Sequence, residues 1–209
     1  MRNYQDLTSI FSASAALKQA FTVTTATDLV TSNAHGLSDG DTVVLTTTTT
    51  LPAGLSLTTQ YYVISPTTNT FRLSSSFGGS AVDITDTGTG THTYQLYGKI
   101  MNVSDFQNVI ISIDTINSAN FTVKFQGSIA EIAPDFLKTQ ATTNSWDYIE
   151  IIDLQNGSAI DGDTGIAPAG SDDHRIFEFN INGLKWVTAN LTSWTAGNLQ
   201  IGFKPFSNI

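Results

Sequence analysis

His35, His92 and His174 are the only imidazoles in the chain, and none stands at a spacing that makes a nucleophile, base and orienting acid. His35 sits beside Gly36 in a turn and His92 at the start of a strand, both structural settings. Acid pairs that could cleave a glycosidic bond, Glu131 with Asp135 or Glu150 with Asp153, read as ordinary surface carboxylates. Asp161-Gly162-Asp163-Thr164-Gly165 followed by Asp172-Asp173-His174 is the most ligand-like stretch, because carboxylates spaced around glycines can bend about a hard cation such as calcium. It lacks the twelve-residue loop with a terminal glutamate. The competing reading, a solvated loop whose aspartates cap their own turns, is preferred. Asp161, Asp163, Asp172 and Asp173 are therefore calcium candidates only, with no metal or cofactor expected.

Aromatic residues are the other source of chemistry. Trp146, Trp186 and Trp194, with Tyr61, Tyr62, Tyr94 and Tyr97, could form a platform for sugars or fill a core. Trp186 lies in a core-like alternation, whereas Trp194 falls at an expected hairpin tip and is the candidate for glycan or partner binding. No Gly-x-x-x-x-Gly-Lys phosphate loop is present, and Gly88-Thr89-Gly90 precedes no helix.

These residues must be positioned by β-structure. The chain has 209 residues, 40 % of them hydrophobic, which suffices for one large β-domain or two small ones. Charged residues make up 13 %, about half the usual share of roughly 25 %, and Thr, Ser, Asn and Gly take their place. Such a surface is neutral and hydrogen-bonding, suited to protein contacts or simply typical of β-rich extracellular proteins. The net charge of −9 and the absence of a basic stripe argue against a nucleic-acid partner. There is no cysteine, which removes disulfides and thiolate chemistry. No apolar run approaches membrane-spanning length and no signal peptide is recognisable, so a soluble, non-membrane chain is expected.

Residues 1–20 place Leu7, Ile10 and Phe11 at helical spacing, which predicts a short helix that either packs on the body or serves as an arm docking on a neighbouring subunit. From Phe21 the period becomes that of strands, predicted at 21–25, 28–32, 42–46, 60–65, 70–74, 81–85 and 91–97, with glycine or proline in every turn. A boundary near 96 separates this small β-barrel-like module, 21–95, from a second domain, 96–209. There the strands fall at 109–113, 121–125, 148–152, 175–181, 186–191 and 198–203. A tight turn is predicted at 117–120, a two-residue type I′ hairpin turn at Asn182-Gly183 and a slightly longer hairpin turn at 194–198. The fold class is all-β: an antiparallel β-sandwich plus the small module, with the N-terminal helix or arm.

The module also carries a resemblance. The order His-Gly-Leu-Ser-Asp-Gly-Asp from His35, Leu-Pro-Ala-Gly-Leu from Leu51, Tyr61-Tyr62-Val63, Asn-Thr-Phe-Arg-Leu-Ser from Asn69 and Gly-Thr-Gly-Thr-His from Gly88 is similar to a small β-module of tailed-bacteriophage virion proteins. The run from Asn182 to Gly197 more loosely resembles the closing strands of phage tail and capsid-accessory sandwiches. The resemblance implies a non-enzymatic virion protein, assembled in the bacterial host cytoplasm, homo-oligomeric, with major capsid or tail proteins as partners. A capsid decoration or cement role is expected first. A tail or fibre module that binds a host-surface glycan is the alternative, and a tail-tube or adaptor component a third reading. Under the decoration reading Leu7, Ile10 and Phe11 are docking residues; under the fibre reading Trp194 is.

Overall fold

The computed structural model describes residues 3–13, 18–136, 145–167 and 169–207. Among these there is no helix. Two compact units are present: residues 16–97, and residues 1–15 together with 98–209. The first is thus inserted in sequence into the second.

The strands, in chain order, are β1 (Asn3–Tyr4), β2 (Thr8–Ala13), β3 (Lys18–Thr24), β4 (Leu29–Thr31), β5 (Thr42–Thr47), β6 (Tyr61–Ile64), β7 (Thr70–Ser74) and β8 (His92–Tyr97). After the inserted unit come β9 (Met101–Asn102), β10 (Asn108–Ser128), β11 (Asp147–Tyr148), β12 (Ile151–Asp153), β13 (Ala159–Ile160), β14 (Ala169–Asn180) and β15 (Trp186–Ser207).

Strands β3, β4, β7, β6, β5 and β8 close into an antiparallel barrel. Closure leaves no open edge, and Phe21, Val30, Val43, Leu45, Tyr61, Val63, Phe71, Leu73 and Tyr94 fill the interior. Alternation along each strand dictates this, as in the buried, half-buried pattern of β6. Residues 81–85, expected as a strand, form no ladder. Val82 N donates to Leu73 O at 2.8 Å and Ile84 N to the Asp28 carboxylate at 2.9 Å, which places Ile84 in the core. Gly54 shows why the turns demand glycine. It has φ +99°, and a Cβ there would lie 2.1 Å from Asp83 O.

Asp86 braces the same loops. Its carboxylate accepts from Ala53 N and Gly88 N, both at 2.8 Å, and these two bonds hold its pKa below the ordinary 3.8. A depressed carboxylate stabilises the fold above its unfolded pKa and loses that contribution as pH falls through the lower folded value. Melting temperature is therefore expected to fall as pH drops below about 4, with a shallower slope in Asp86→Ala. An identical slope in the variant would remove Asp86 as the cause.

In the second unit the main path of the sheet runs β1, β15, β10, β14, β12, β13, with β2 and β9 also on β15 and β11 on β10. Its spine is the antiparallel pair of β10, 21 residues, and β15, 22 residues. The turns expected at 117–120 and 194–198 are instead irregularities inside these two strands. Ile116 pairs with Asn198 and Asn120 with Ala196, so three residues of β10 oppose Gly197 alone. Asn117, Ser118 and Gly197 take positive φ there (62°, 54° and 78°), as a bulge that bends both strands requires.

The bend folds the sheet onto itself. Phe125 lies fourteen residues beyond Ile111 on β10, about 46 Å if straight, yet its ring is 6.0 Å from that of Phe203, which pairs with Ile111. Phe179, paired with Val109, completes the cluster at 6.3 Å from Phe125 and 5.5 Å from Phe203. The two packed layers expected of a sandwich are thus two halves of one continuous sheet.

Two further expectations are corrected. The N-terminal helix is absent from the described residues: β1 pairs Tyr4 with Phe206, and β2 pairs Phe11 with Ile201. Pairing with β15 satisfies the backbone of this segment and outweighs a helical spacing of only three apolar residues. At Asn182-Gly183 only Gly183 takes positive φ (84°), and Leu184 N donates to Ile181 O at 2.8 Å. That is the pattern of a type II turn, not type I′.

Candidate functional site

The site begins where β12 leaves β14. Ile152 pairs with Glu178 and Asp153 with Phe177; one last backbone bond, Leu154 N to Ile176 O at 3.2 Å, follows before the chain turns away. A shallow groove of about 330 Å³ opens there, lined by Leu154, Gln155, Asp173, His174, Arg175 and Ile176. Leu154 and Ile176, 47 % and 42 % exposed, make its apolar part.

Two charge pairs stand in and beside the groove. Asp153, whose side chain is 4 % exposed, is ion-paired with Arg175. Its other oxygen accepts from Gln155 N at 2.9 Å, the turn-capping role of an aspartate. On the outer face His174 Nδ1 meets the Asp114 carboxylate directly across the strands. Ser112 Oγ donates to the same carboxylate at 3.1 Å. Asp173 N donates to Thr115 Oγ1 at 2.9 Å, and the Asp173 carboxylate accepts from His174 N at 2.9 Å.

The calcium candidates are not gathered into one site. Asp161 accepts from Asp163 N at 2.8 Å, and Asp163 pairs with Lys124 at 2.9 Å, whose pKa that hydrogen bond raises. This loop lies against Val123 through the bridge to Ile166, whereas Asp173 lies opposite Thr115. The Asp172 side chain falls outside the described residues. Among the described residues no three His, Asp or Glu form a metal-holding group. Millimolar calcium is expected to leave the melting temperature unchanged, since only a ligand of the folded state raises it. A rise of several degrees, reversed by a chelator, would assign the loop to a cation.

The expected docking and aromatic residues are distributed differently from the sequence reading. Leu7 is 57 % exposed and its side chain lies over Gly202. Ile10 and Phe11 are in β2, with side chains outside the described residues. Trp194 sits within β15 opposite Phe121, not at a hairpin tip, and its side chain also lies outside the described residues. Trp146 is buried against Phe136 and Tyr148, while Trp186 Nε1 donates to Ala130 O at 2.9 Å. Tyr61, Tyr94 and Tyr97 are core residues, and burial pushes the Tyr94 hydroxyl pKa up.

Phe77, which sequence reasoning passed over, is 78 % exposed and stacks edge-on to Tyr62 at 5.8 Å. Its signal was a phenylalanine beside Gly78-Gly79 in an otherwise polar loop.

His35 and His92 bond the loops and strands around them. His35 accepts from Leu37 N at 3.0 Å and contacts Thr70 O; His92 bonds Thr47 and Thr87 O. Of the acid pairs, Asp153 is held by Arg175, and Glu131 is paired with Lys185 at 2.5 Å, which lowers its pKa.

The fold defines an all-β protein in which an antiparallel sheet unit carries an inserted six-stranded barrel. Comparison with protein-family models and with curated proteins returns no match. Among solved structures the chain has a distant likeness to SPBc2 prophage-derived protein YomS. That match has 14 % identity and a TM-score of 0.39, and covers 53 % of this chain and 80 % of that one. PBSX exported protein XepA is matched at 10 % identity and a TM-score of 0.39, over 99 % of this chain and 82 % of that one.

Proposed function

We propose that this chain is a non-enzymatic structural protein of a tailed-bacteriophage particle that acts as a capsid decoration or cement protein, binding the shell through its surface. The observation that supports it most is the barrel. The residues that carry the resemblance are those that hold its turns, among them Gly36, Gly40, Gly54, Gly88 and Gly90, all at positive φ. The distant structural likenesses do not carry this reading.

The chemistry of the described residues agrees with binding. Asp153, Asp161, Asp163 and Glu131 serve turns and ion pairs, and the chain is poor in charge and rich in hydroxyl groups. Repeated over a symmetric lattice, modest contacts of such a surface sum to resistance against internal pressure.

Quantitative mass spectrometry of purified particles from the source tests the proposal. Peptides of this chain at copy numbers comparable with the major shell protein support decoration. Their absence from particles would overturn it. A second reading, a tail or fibre module that binds glycan, is favoured by one observation, the exposed Phe77–Tyr62 pair, because aromatic faces pack on sugar rings.

A further inference from the structure

Strand β14 is paired with β10 along nearly its whole length, but on its other side only its last residues meet β12. Ile176 O accepts from Leu154 N, so the backbone groups of Ile176 face that side. Alternation then sends those of His174 and Asp172 the same way. Asp173, the intervening residue, faces β10, as its bonds with Thr115 Oγ1 show. Among the described residues no strand covers this edge. Among the described residues His174 N is satisfied only by the Asp173 carboxylate of its own strand. An open row of main-chain donors and acceptors is a template for another strand.

We propose that this edge of β14 is a docking site for an extended segment of another protein, one with apolar and cationic residues in alternation, added antiparallel or parallel as an extra strand. The main chain gives the attraction and the side chains flanking the edge select the partner. On the outer face the added strand runs past His174, paired with Asp114, and abuts Leu154 and Ile176, both half-exposed, which take an apolar side chain. Its other face meets the exposed Asp173, which favours lysine or arginine. A second copy of this chain is a poor occupant, because each copy carries a net charge of −9 and brings its own Asp173 to the contact. This deepens the proposed function by naming the type of partner segment, and it can fail while that function stands.

The test uses the full chain and a designed probe, the acetylated and amidated heptapeptide Lys-Val-Lys-Val-Lys-Val-Lys, followed by amide chemical shifts. Shifts confined to residues around 170–176 are expected. Asp172→Pro removes an outward amide that β10 does not use, a position where an edge strand accepts proline, and is expected to weaken binding at least about tenfold. A peptide N-methylated along its docking edge is expected to lose binding to the unaltered protein, which keeps the test valid if the proline variant misfolds. The Glu-Val counterpart is expected to bind at least about tenfold more weakly than the Lys-Val peptide. Equal affinity for both peptides, or undiminished binding by folded Asp172→Pro, would overturn the proposal. So would a dimer in sedimentation that Asp172→Pro dissolves, since the edge would then be occupied by a second copy. Asp172→Pro protein that still populates particles at normal copy number would also sink this site as the docking element, leaving the virion role intact.

Discussion

Phe125→Ala is expected to lower the unfolding free energy by about 4 kcal/mol in urea titration, the upper part of the range for truncating a buried phenylalanine. Phe125 is fully buried, and its ring is shared between Phe179 and Phe203, residues on strands it reaches only because β10 and β15 bend. Removing it takes away the filling between the two halves of one sheet, and neighbours fixed in a ladder cannot collapse into the space. Phe77→Ala is the matched control, expected to change stability by less than about 0.5 kcal/mol because that ring is already in water. A loss of only about 1 kcal/mol at Phe125 would mean that the halves do not face each other across this ring.

Arg175→Ala is expected to cost about 3–5 kcal/mol, the penalty for stranding a buried carboxylate. Asp153 keeps its bond from Gln155 N but loses the only cation paired with it among the described residues. The double change Arg175→Met with Asp153→Leu is expected to recover most of the loss, because a buried pair is worth little more than well-packed apolar residues of similar size. Glu131→Gln, which breaks a pair whose carboxylate is 91 % exposed, should leave stability nearly unchanged. Equal small effects at both pairs would contradict the burial of Asp153.

The barrel was largely legible in the sequence because its turns use residues that only particular backbone angles accommodate. Positive φ at Gly36, Gly40, Gly54, Gly88 and Gly90 is what glycine signals, and the strands between those turns fall within a residue or three of their predicted bounds. Residues 81–85 misled because alternation reports burial, which Ile84 has, and not ladder pairing, which the segment lacks.

The sheet unit was less legible for a related reason. Asn117-Ser118 and Gly197 announce left-handed backbone, but a bulge inside a paired strand uses it as readily as a hairpin does. Strands of 21 and 22 residues also exceed the ordinary length of about 3–10, so the sequence pattern was cut at those residues. At the N-terminus the spacing of Leu7, Ile10 and Phe11 suits a helix, and only the partner strand β15, almost two hundred residues away, decides otherwise.

Of the candidate site, Asp173 and His174 were visible as a charged cluster. Arg175 was not, and Asp153, read as a surface carboxylate, is buried, because residues 22 apart in sequence meet only through the register of β12 on β14. Nor could the open edge be seen, since it depends on where β12 departs.

Under the proposed function this chain is a component of a phage particle that decorates its head. Gold-labelled antibody against the chain, applied to intact particles from the source and viewed by negative-stain electron microscopy, tests it most directly. Label distributed over the head at many sites is the predicted result. Label confined to the tail or its tip, or particles that carry none, would contradict it.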